Sequence, residues 1–198
     1  IHPEVFRRGP DSDLSDFLPE LCEHPDIDAR RIVVEVMEQA VSEHAGFART
    51  VEYLREMGCM IALDDFGAGH SNFDRIWSLQ PEIVKLDRSF AIKSVEDPSA
   101  RRLLPQIVSL IHEAGSLVLL EGVETEAQAL AAFDSDIDFV QGFYFAMPAA
   151  APVDTREVSP VINALWDRFN TTRGNGAQRY RELIGPYIHA MGGCAVLL

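Results

Sequence analysis

The sequence is short of cationic side chains, and nearly all of those present are arginine. It has 17 basic residues, of which two are lysine, against 31 acidic residues, so its formal net charge is −14. Nucleic acids and anionic membranes are bound by clustered Lys and Arg. We therefore expect neither DNA nor an anionic membrane surface as a general partner. A phosphate-bearing ligand would instead be held through metal ions.

Cysteines and long apolar runs are also scarce. Cys22, Cys59 and Cys194 are widely separated and show no C-x-x-C spacing, which is typical of buried thiols in a reducing compartment. No apolar run reaches the roughly 18 residues of a membrane span, and no signal peptide opens the chain. These absences predict a cytoplasmic protein without a membrane span.

The chain suits one domain with an appendage, since 198 residues can bury a sizeable core. Its abrupt start at Ile1 and its apolar end, Ala195–Leu198, lead us to expect an excised or incompletely represented domain. Beyond Pro148 the composition shifts towards Ala and Pro, and Ser159-Pro160 is typical of a helix start. We expect residues 1–148 to form the main domain and residues 149–198 a helical extension or connector.

The most informative stretch is an apolar run that stops at two adjacent carboxylates, Asp64 and Asp65, before a glycine-punctuated turn. In parallel β/α folds, ligands gather at the carboxyl ends of strands. Paired carboxylates repel each other, and a divalent cation relieves that repulsion. The pattern therefore indicates a metal site. The alternative is structural, with Asp65 starting a turn and Ser71 and Asp74 capping the following helix.

The same pattern, a polar residue closing or interrupting an apolar run, recurs at Glu35, Lys85, Glu121 and Gln141. The spacings suit single βα units, so we expect these residues to converge at one end of a barrel with Asp64 and Asp65. Structural alternatives exist here too. Glu35 could be solvated on an edge strand, and Lys85 could form a structural ion pair.

Two further features are explained by helix ends alone. His112 falls in the last turn of a predicted helix, where a cation suits the helix dipole, and we interpret it as a surface or dipole residue and not as a ligand. Thr125 and Gln128 have the spacing of a capping box, which accounts for Thr125 without any chemistry.

Taken together, five segments resemble the EAL domain family of bacterial cyclic di-GMP phosphodiesterases, over about residues 1–148. The segments are Glu35-Val36-Met37-Glu38, Leu63-Asp64-Asp65-Phe66-Gly67-Ala68-Gly69, Ile83-Val84-Lys85-Leu86-Asp87-Arg88-Ser89-Phe90, Glu121-Gly122-Val123-Glu124-Thr125 and Gln141-Gly142-Phe143. The resemblance implies an α/β fold, a modified TIM-type β/α barrel. It also implies hydrolysis of cyclic di-GMP to linear pGpG with two Mg²⁺ or Mn²⁺ ions. A homodimer and further signalling domains in the intact protein are the partners it suggests.

The resemblance assigns roles to nine residues by their places in the family motifs. The implied metal ligands are Glu35, Asp64 and Asp65. The residues implied to position or activate water are Lys85 and Glu121. Further implied members of the ligand site are Asp87 and Gln141. The residues implied to support ligand binding and the loop that begins at Asp65 are Glu38 and Glu124.

Departures from the family pattern set a second expectation. The Glu-Ala-Leu strand and a metal-binding Asn would lie before Ile1. A Thr that is usual in the family is replaced by Ala68 in one motif and by Met37 in another, and Leu120 replaces a small Ala. We expect the 198-residue chain alone to bind Mg²⁺ weakly and to hydrolyse cyclic di-GMP poorly, and the upstream strands to restore activity. Two alternatives are a receptor that holds cyclic di-GMP without cutting it, and a fragment whose barrel closes only with a partner.

Overall fold

A computed structural model describes residues 29, 32–38, 45–69, 73–145, 147 and 195–197. In these ranges strands alternate with helices, as the sequence predicts. The strands are β1 Val33–Met37, β2 Met60–Phe66, β3 Ile83–Leu86, β4 Leu117–Leu120, β5 Phe139–Gln141 and β6 Ala195–Leu197. The helices are α1 Ala45–Glu56, α2 Phe73–Leu79, α3 Arg88–Glu96, α4 Pro98–Glu113 and α5 Glu126–Asp134.

The strands form one sheet in the order β1-β2-β3-β4-β5-β6. Strands β1 to β5 pair in parallel, and β6 pairs antiparallel with β5. Each helical connection returns the chain beside the strand it has just left, which is the behaviour of successive βα units. The predicted α/β architecture is therefore confirmed. The helices expected in residues 149–198 lie outside the described residues. The described part of that segment is β6.

The two faces of the sheet carry two apolar clusters. The larger cluster packs the sheet against the helices and includes Leu63, Val84 and Val118. The smaller one consists of Ala62, Ile83, Leu119 and Phe139, with Val33 and Leu117 packed against it. Successive side chains of a strand point to opposite faces, so each of β1 to β5 contributes to both clusters. No helix in the described ranges is long and apolar enough to cross a membrane.

The amino ends of β4 and β5 are joined to α4 through one buried carboxylate. Asp138 Oδ2 lies 2.7 Å from His112 Nε2 and accepts a 2.7 Å hydrogen bond from the backbone N–H of Val118. His112 lies in the last turn of α4 as predicted, but its partner was not foreseen. The hydrogen bond to Asp138 raises the pKa of His112, outweighing the opposing effect of burial, and the charge of Asp136 adds to the rise.

We expect the stability of the domain to fall as pH rises through the raised pKa of His112. The folded state binds this proton more tightly than the unfolded state does, so the stabilisation is complete below the unfolded pKa of about 6.5 and is lost above the folded value. Urea unfolding of wild type and His112→Gln from pH 6 to pH 9 checks this. The difference between their free energies of unfolding should shrink as pH rises, and a constant difference would contradict the prediction.

Candidate metal centre

The site is built on the face of the sheet that carries the smaller apolar cluster. On each of five strands, the residue two positions after an apolar member of that face is polar, and its place ranges from the middle of the strand, in β1, to just beyond the carboxyl end, after β4. These polar residues are Glu35, Asp64, Lys85, Glu121 and Gln141. The smaller apolar cluster therefore lies directly beside a polar site on the same face of the sheet. On each strand the apolar residue packs in the cluster, and the residue two positions later faces the site.

Lys85 lies at the centre of this group. Its Nζ is 2.7 Å from Asp64 Oδ1 and 2.8 Å from both Glu35 Oε1 and Glu121 Oε1. An ammonium group has three donors, so these three carboxylates, each from a different strand, can satisfy all of them. Lys85 is 6 % exposed. Burial acts to lower the pKa of Lys85, but the three hydrogen bonds outweigh burial and raise it, so the side chain stays charged.

A second group overlaps the first and has the character of a metal site. Asp64, Asp65 and Glu121 each offer a carboxylate oxygen, and these oxygens lie within 4.8 Å of one another. Hard carboxylate oxygens are the ligands that Mg²⁺ and Mn²⁺ prefer. The donor set therefore fits a divalent cation. Glu35, also implied to be a metal ligand, is joined to this group through Lys85 and is not one of the three.

The electrostatics of the group also favour a cation. Burial raises the pKa of Asp65, and the neighbouring charges of Asp64 and Asp87 add to that rise. Burial also raises the pKa of Glu121, although the hydrogen bond from Lys85 opposes the change. One ammonium is shared among several carboxylates, so it offsets only part of their mutual repulsion. A bound divalent cation would supply the remaining positive charge.

A backbone irregularity brings adjacent carboxylates into one site. Two successive residues of a regular strand would point to opposite faces, but the pairing of β2 with β3 shifts register between Leu63 and Phe66. Asp65 has φ of 58°, in the left-handed region that Asp tolerates better than most residues. The bulge therefore turns Asp65 so that its carboxylate joins that of Asp64.

The loops around the site are packed against the start of α3. Gly67 has φ of 100°, and a Cβ there would lie 2.0 Å from Cε2 of Phe90. Gly122 has φ of 66°, and a Cβ there would lie 2.4 Å from Cβ of Arg88. Both glycines are thus required by backbone conformation and by close approach. Asp87 caps α3 by accepting a 3.0 Å hydrogen bond from the Ser89 N–H, which gives it a structural role beside Asp65.

Gln141 ends β5, and the glycine after it packs on the Glu121 loop. The Gln141 carbonyl accepts a 3.0 Å hydrogen bond from the Val123 N–H. A Cβ at Gly142 would lie 2.0 Å from the Val123 carbonyl oxygen. That close approach fixes the position of Gln141 relative to the loop that begins at Glu121.

Gly142→Ala should therefore lower the free energy of unfolding by about 1–3 kcal/mol, because backbone must move to admit the methyl group. Gly69→Ala is the matched control. A Cβ there meets no atom of the described part within 4 Å, so its effect should stay within about 0.5 kcal/mol. Urea unfolding of both variants checks the pair, and equal effects would show that the contact with Val123 is unimportant.

The two residues implied to support the site differ in what surrounds them. Glu38, just after β1, is 6 % exposed and forms an ion pair with Arg75 of α2. Glu124 is exposed, and its N–H donates a 2.7 Å hydrogen bond to Oε1 of Gln128. The capping box predicted for Thr125 and Gln128 is confirmed. The supporting role of Glu124 stays a prediction, and Arg75 is a residue that the sequence reasoning missed.

Comparisons with known proteins point to one family. The sequence profile of the EAL domain matches residues 3–148. The cyclic di-GMP phosphodiesterase RocR of Pseudomonas aeruginosa is 33% identical over 118 residues, which are 59% of this chain and 30% of RocR. The cyclic di-GMP phosphodiesterase PdeF of Escherichia coli is 29% identical over 136 residues, 68% of this chain and 18% of PdeF.

Solved structures agree. The Bacillus subtilis YkuI protein, which has an EAL domain and was solved with substrate c-di-GMP and calcium, has a TM-score of 0.70 and 27% identity, covering 88% of this chain and 42% of YkuI. Klebsiella pneumoniae BlrP1, solved with manganese and c-di-GMP, has a TM-score of 0.64 and 26% identity, covering 74% of this chain and 37% of BlrP1. The chain thus spans less than half the length of each of these four relatives.

Proposed function

The chain belongs to the EAL domain family, and on that premise we propose that it is a metal-dependent phosphodiesterase domain that hydrolyses cyclic di-GMP to linear pGpG. One observation carries the proposal. Lys85 joins three carboxylates from three strands, and two of these also belong to the group Asp64, Asp65 and Glu121. Relatives named as cyclic di-GMP phosphodiesterases and neighbours solved with c-di-GMP support the choice of substrate.

The residues of the site divide the chemistry between them. Asp64, Asp65 and Glu121 would hold Mg²⁺ or Mn²⁺, with Glu35 beside them. Bound there, the ions would polarise a phosphoryl oxygen and make water a better nucleophile. With Asp64 and Glu121 engaged by a cation, the donors of Lys85 that they now occupy would be free to orient the attacking water and to offset negative charge on the phosphate. Glu121 takes part in positioning and activating that water.

The reaction proposed is a single displacement at phosphorus. The oxygen of water forms a bond to phosphorus, one ester P–O bond breaks, and the departing sugar oxygen receives a proton. The ring of the cyclic dinucleotide opens and linear pGpG is released. Charge that develops on phosphate oxygens would be balanced by the buried ammonium of Lys85, which is 6 % exposed and already held in place by its hydrogen bonds.

A receptor that binds cyclic di-GMP without cutting it is the second candidate, and Ala68 favours it by removing the hydroxyl of the usual Thr. A pure receptor, however, has no chemical need for Lys85 held among three carboxylates. We therefore give priority to the enzyme. A homodimer, further signalling domains and a cytoplasmic location stay predictions.

The proposal is tested by incubating cyclic di-GMP with the 198-residue chain and with the intact gene product across a Mn²⁺ titration. Chromatography of the nucleotides follows the reaction. We expect the intact gene product to form pGpG only with metal present and the 198-residue chain to form little. Binding without product at every Mn²⁺ concentration would favour the receptor, and Ala68→Thr would then be the first change to make.

A further inference from the structure

Glu38 is a buried acid, and its partner Arg75 lies on α2. This helix follows the turn that begins at Asp65, which we call the Asp65 turn. Its carboxylate Oε1 is 3.5 Å from Nη1 of Arg75, and the same Nη1 donates a hydrogen bond to the Glu38 carbonyl oxygen. With Glu38 only 6 % exposed, the charge needs such compensation. Because Arg75 binds the main chain as well as the side chain, it fixes the backbone just beyond β1.

Arg75 contacts the chain just beyond the last residue pair between β1 and β2. The last residue pair between β1 and β2 is Met37 with Asp64. Asp65 and Glu38 each come one residue later, so they lie past that last pair. Arg75, in the first turn of α2, reaches from beyond the Asp65 turn back to Glu38.

A second contact ties α2 to the end of β2. The rings of Phe66 and Phe73 meet edge to face with centroids 5.4 Å apart, an arrangement that stabilises aromatic pairs. The helix is thus attached to β2 through Phe73 and to β1 through Arg75. Together the two contacts connect the end of β1, which lies two residues beyond Glu35, to the end of β2, which carries Asp65.

We propose that Arg75 is a positioning residue of the metal centre, which holds the end of β1 at a fixed place relative to the Asp65 turn. The inference rests on the proposed function only in that it needs the carboxylates to bind a divalent cation. Metal ligands held by supporting interactions bind more tightly because less order has to be gained on binding. Loss of Arg75 should therefore weaken the cation's affinity even though Arg75 does not touch the ion.

The chain offers a matched control at the opposite end of the sheet. The side chain of Arg55, on α1, donates to the carbonyl oxygens of Leu79 and Gln80, and its Nε lies 3.3 Å from Oε1 of Glu82. Glu82 in turn accepts a 2.7 Å hydrogen bond from the Ile61 N–H near the start of β2. Arg55 thus has the same chemistry as Arg75, carbonyls plus one carboxylate, but far along the strands from the metal centre.

The experiment is a Mn²⁺ titration of the 198-residue chain, with free Mn²⁺ followed by electron paramagnetic resonance and no nucleotide present. We expect Arg75→Met to weaken Mn²⁺ binding by about tenfold, the lower end of what loss of supporting contacts costs. Arg75→Lys should recover part of the affinity, since it keeps a donor and the charge. Arg55→Met should leave Mn²⁺ affinity unchanged while lowering the melting temperature.

A double variant separates a loss of Mn²⁺ affinity from a general loss of folding caused by an unpaired Glu38 or Arg75 charge. Arg75→Gln with Glu38→Gln removes both charges of the Arg75–Glu38 ion pair together, and it should still bind Mn²⁺ more weakly than wild type. Equal affinity in wild type and Arg75→Met would overturn the inference, as would equal weakening by Arg55→Met. A wild type that binds no Mn²⁺ would overturn the metal centre itself, which distinguishes failure of the proposed function from failure of the role of Arg75.

Discussion

Lys85→Met is expected to lower the rate of cyclic di-GMP hydrolysis by the intact gene product by at least about a hundredfold while it tightens Mn²⁺ binding. The two effects have one origin. The ammonium that should stabilise charge on the phosphate is also a cation already bound by Glu35, Asp64 and Glu121. Methionine keeps the length of the side chain but removes its charge. The carboxylates are then left with stronger mutual repulsion, which a divalent cation relieves.

The gain in Mn²⁺ affinity should be about tenfold or more, because two cations a few ångströms apart repel each other by several kcal/mol even at an effective dielectric constant of about 20. Added Mn²⁺ should not restore the rate. Lys93→Met is the matched control, since Lys93 is the other lysine of the chain and is exposed on α3. Weaker Mn²⁺ binding by Lys85→Met would mean that the lysine organises the carboxylates more than it competes with the ion.

Asp65→Asn is expected to lower the same rate by about a hundredfold, and higher Mn²⁺ should restore part of it. Asn nearly keeps the shape of Asp and also tolerates the left-handed backbone found at this position, φ of 58°. The change therefore removes one charge from the metal ligands and leaves the turn intact. A weaker ligand can be offset by more metal, whereas a lost ammonium cannot.

The same substitution should raise the melting temperature of the metal-free protein at neutral pH. Burial and the charges of Asp64 and Asp87 raise the pKa of Asp65, so the ionised carboxylate opposes folding above its ordinary pKa. Scanning calorimetry with and without Mn²⁺ checks this: Asn should stabilise the metal-free protein but reduce the stabilisation that Mn²⁺ gives. A lower melting temperature without metal would show that the carboxylate is needed for the turn.

The convergence of the central residues could be predicted from the sequence because it depends on a simple period. In Ile83 and Lys85, and in Leu119 and Glu121, an apolar residue is followed two positions later by a polar one. This spacing predicts that both lie on the same face of the strand and that the strand ends near the polar residue. Parallel pairing then brings those ends together. The capping box at Thr125 was equally local, and it is present as predicted.

Contacts that join distant segments could not be predicted in this way. Arg75 and Glu38 are 37 residues apart, and His112 and Asp138 are 26 apart, so no local pattern relates them. The bulge at Asp65 could not be predicted from the sequence for a different reason. An adjacent pair of acids fits a regular strand, a turn or a bulge equally well, and the pairing of β2 with β3 decides among them.

Hydrolysis in water enriched in ¹⁸O tests the central claim most directly. Cyclic di-GMP is incubated with the intact gene product and Mn²⁺, and the products are analysed by mass spectrometry. The account predicts pGpG with one ¹⁸O in its terminal phosphate, formed with Mn²⁺ and not without it, and lost in Lys85→Met. Cyclic di-GMP recovered intact, although bound, would contradict the assignment of this site to hydrolysis.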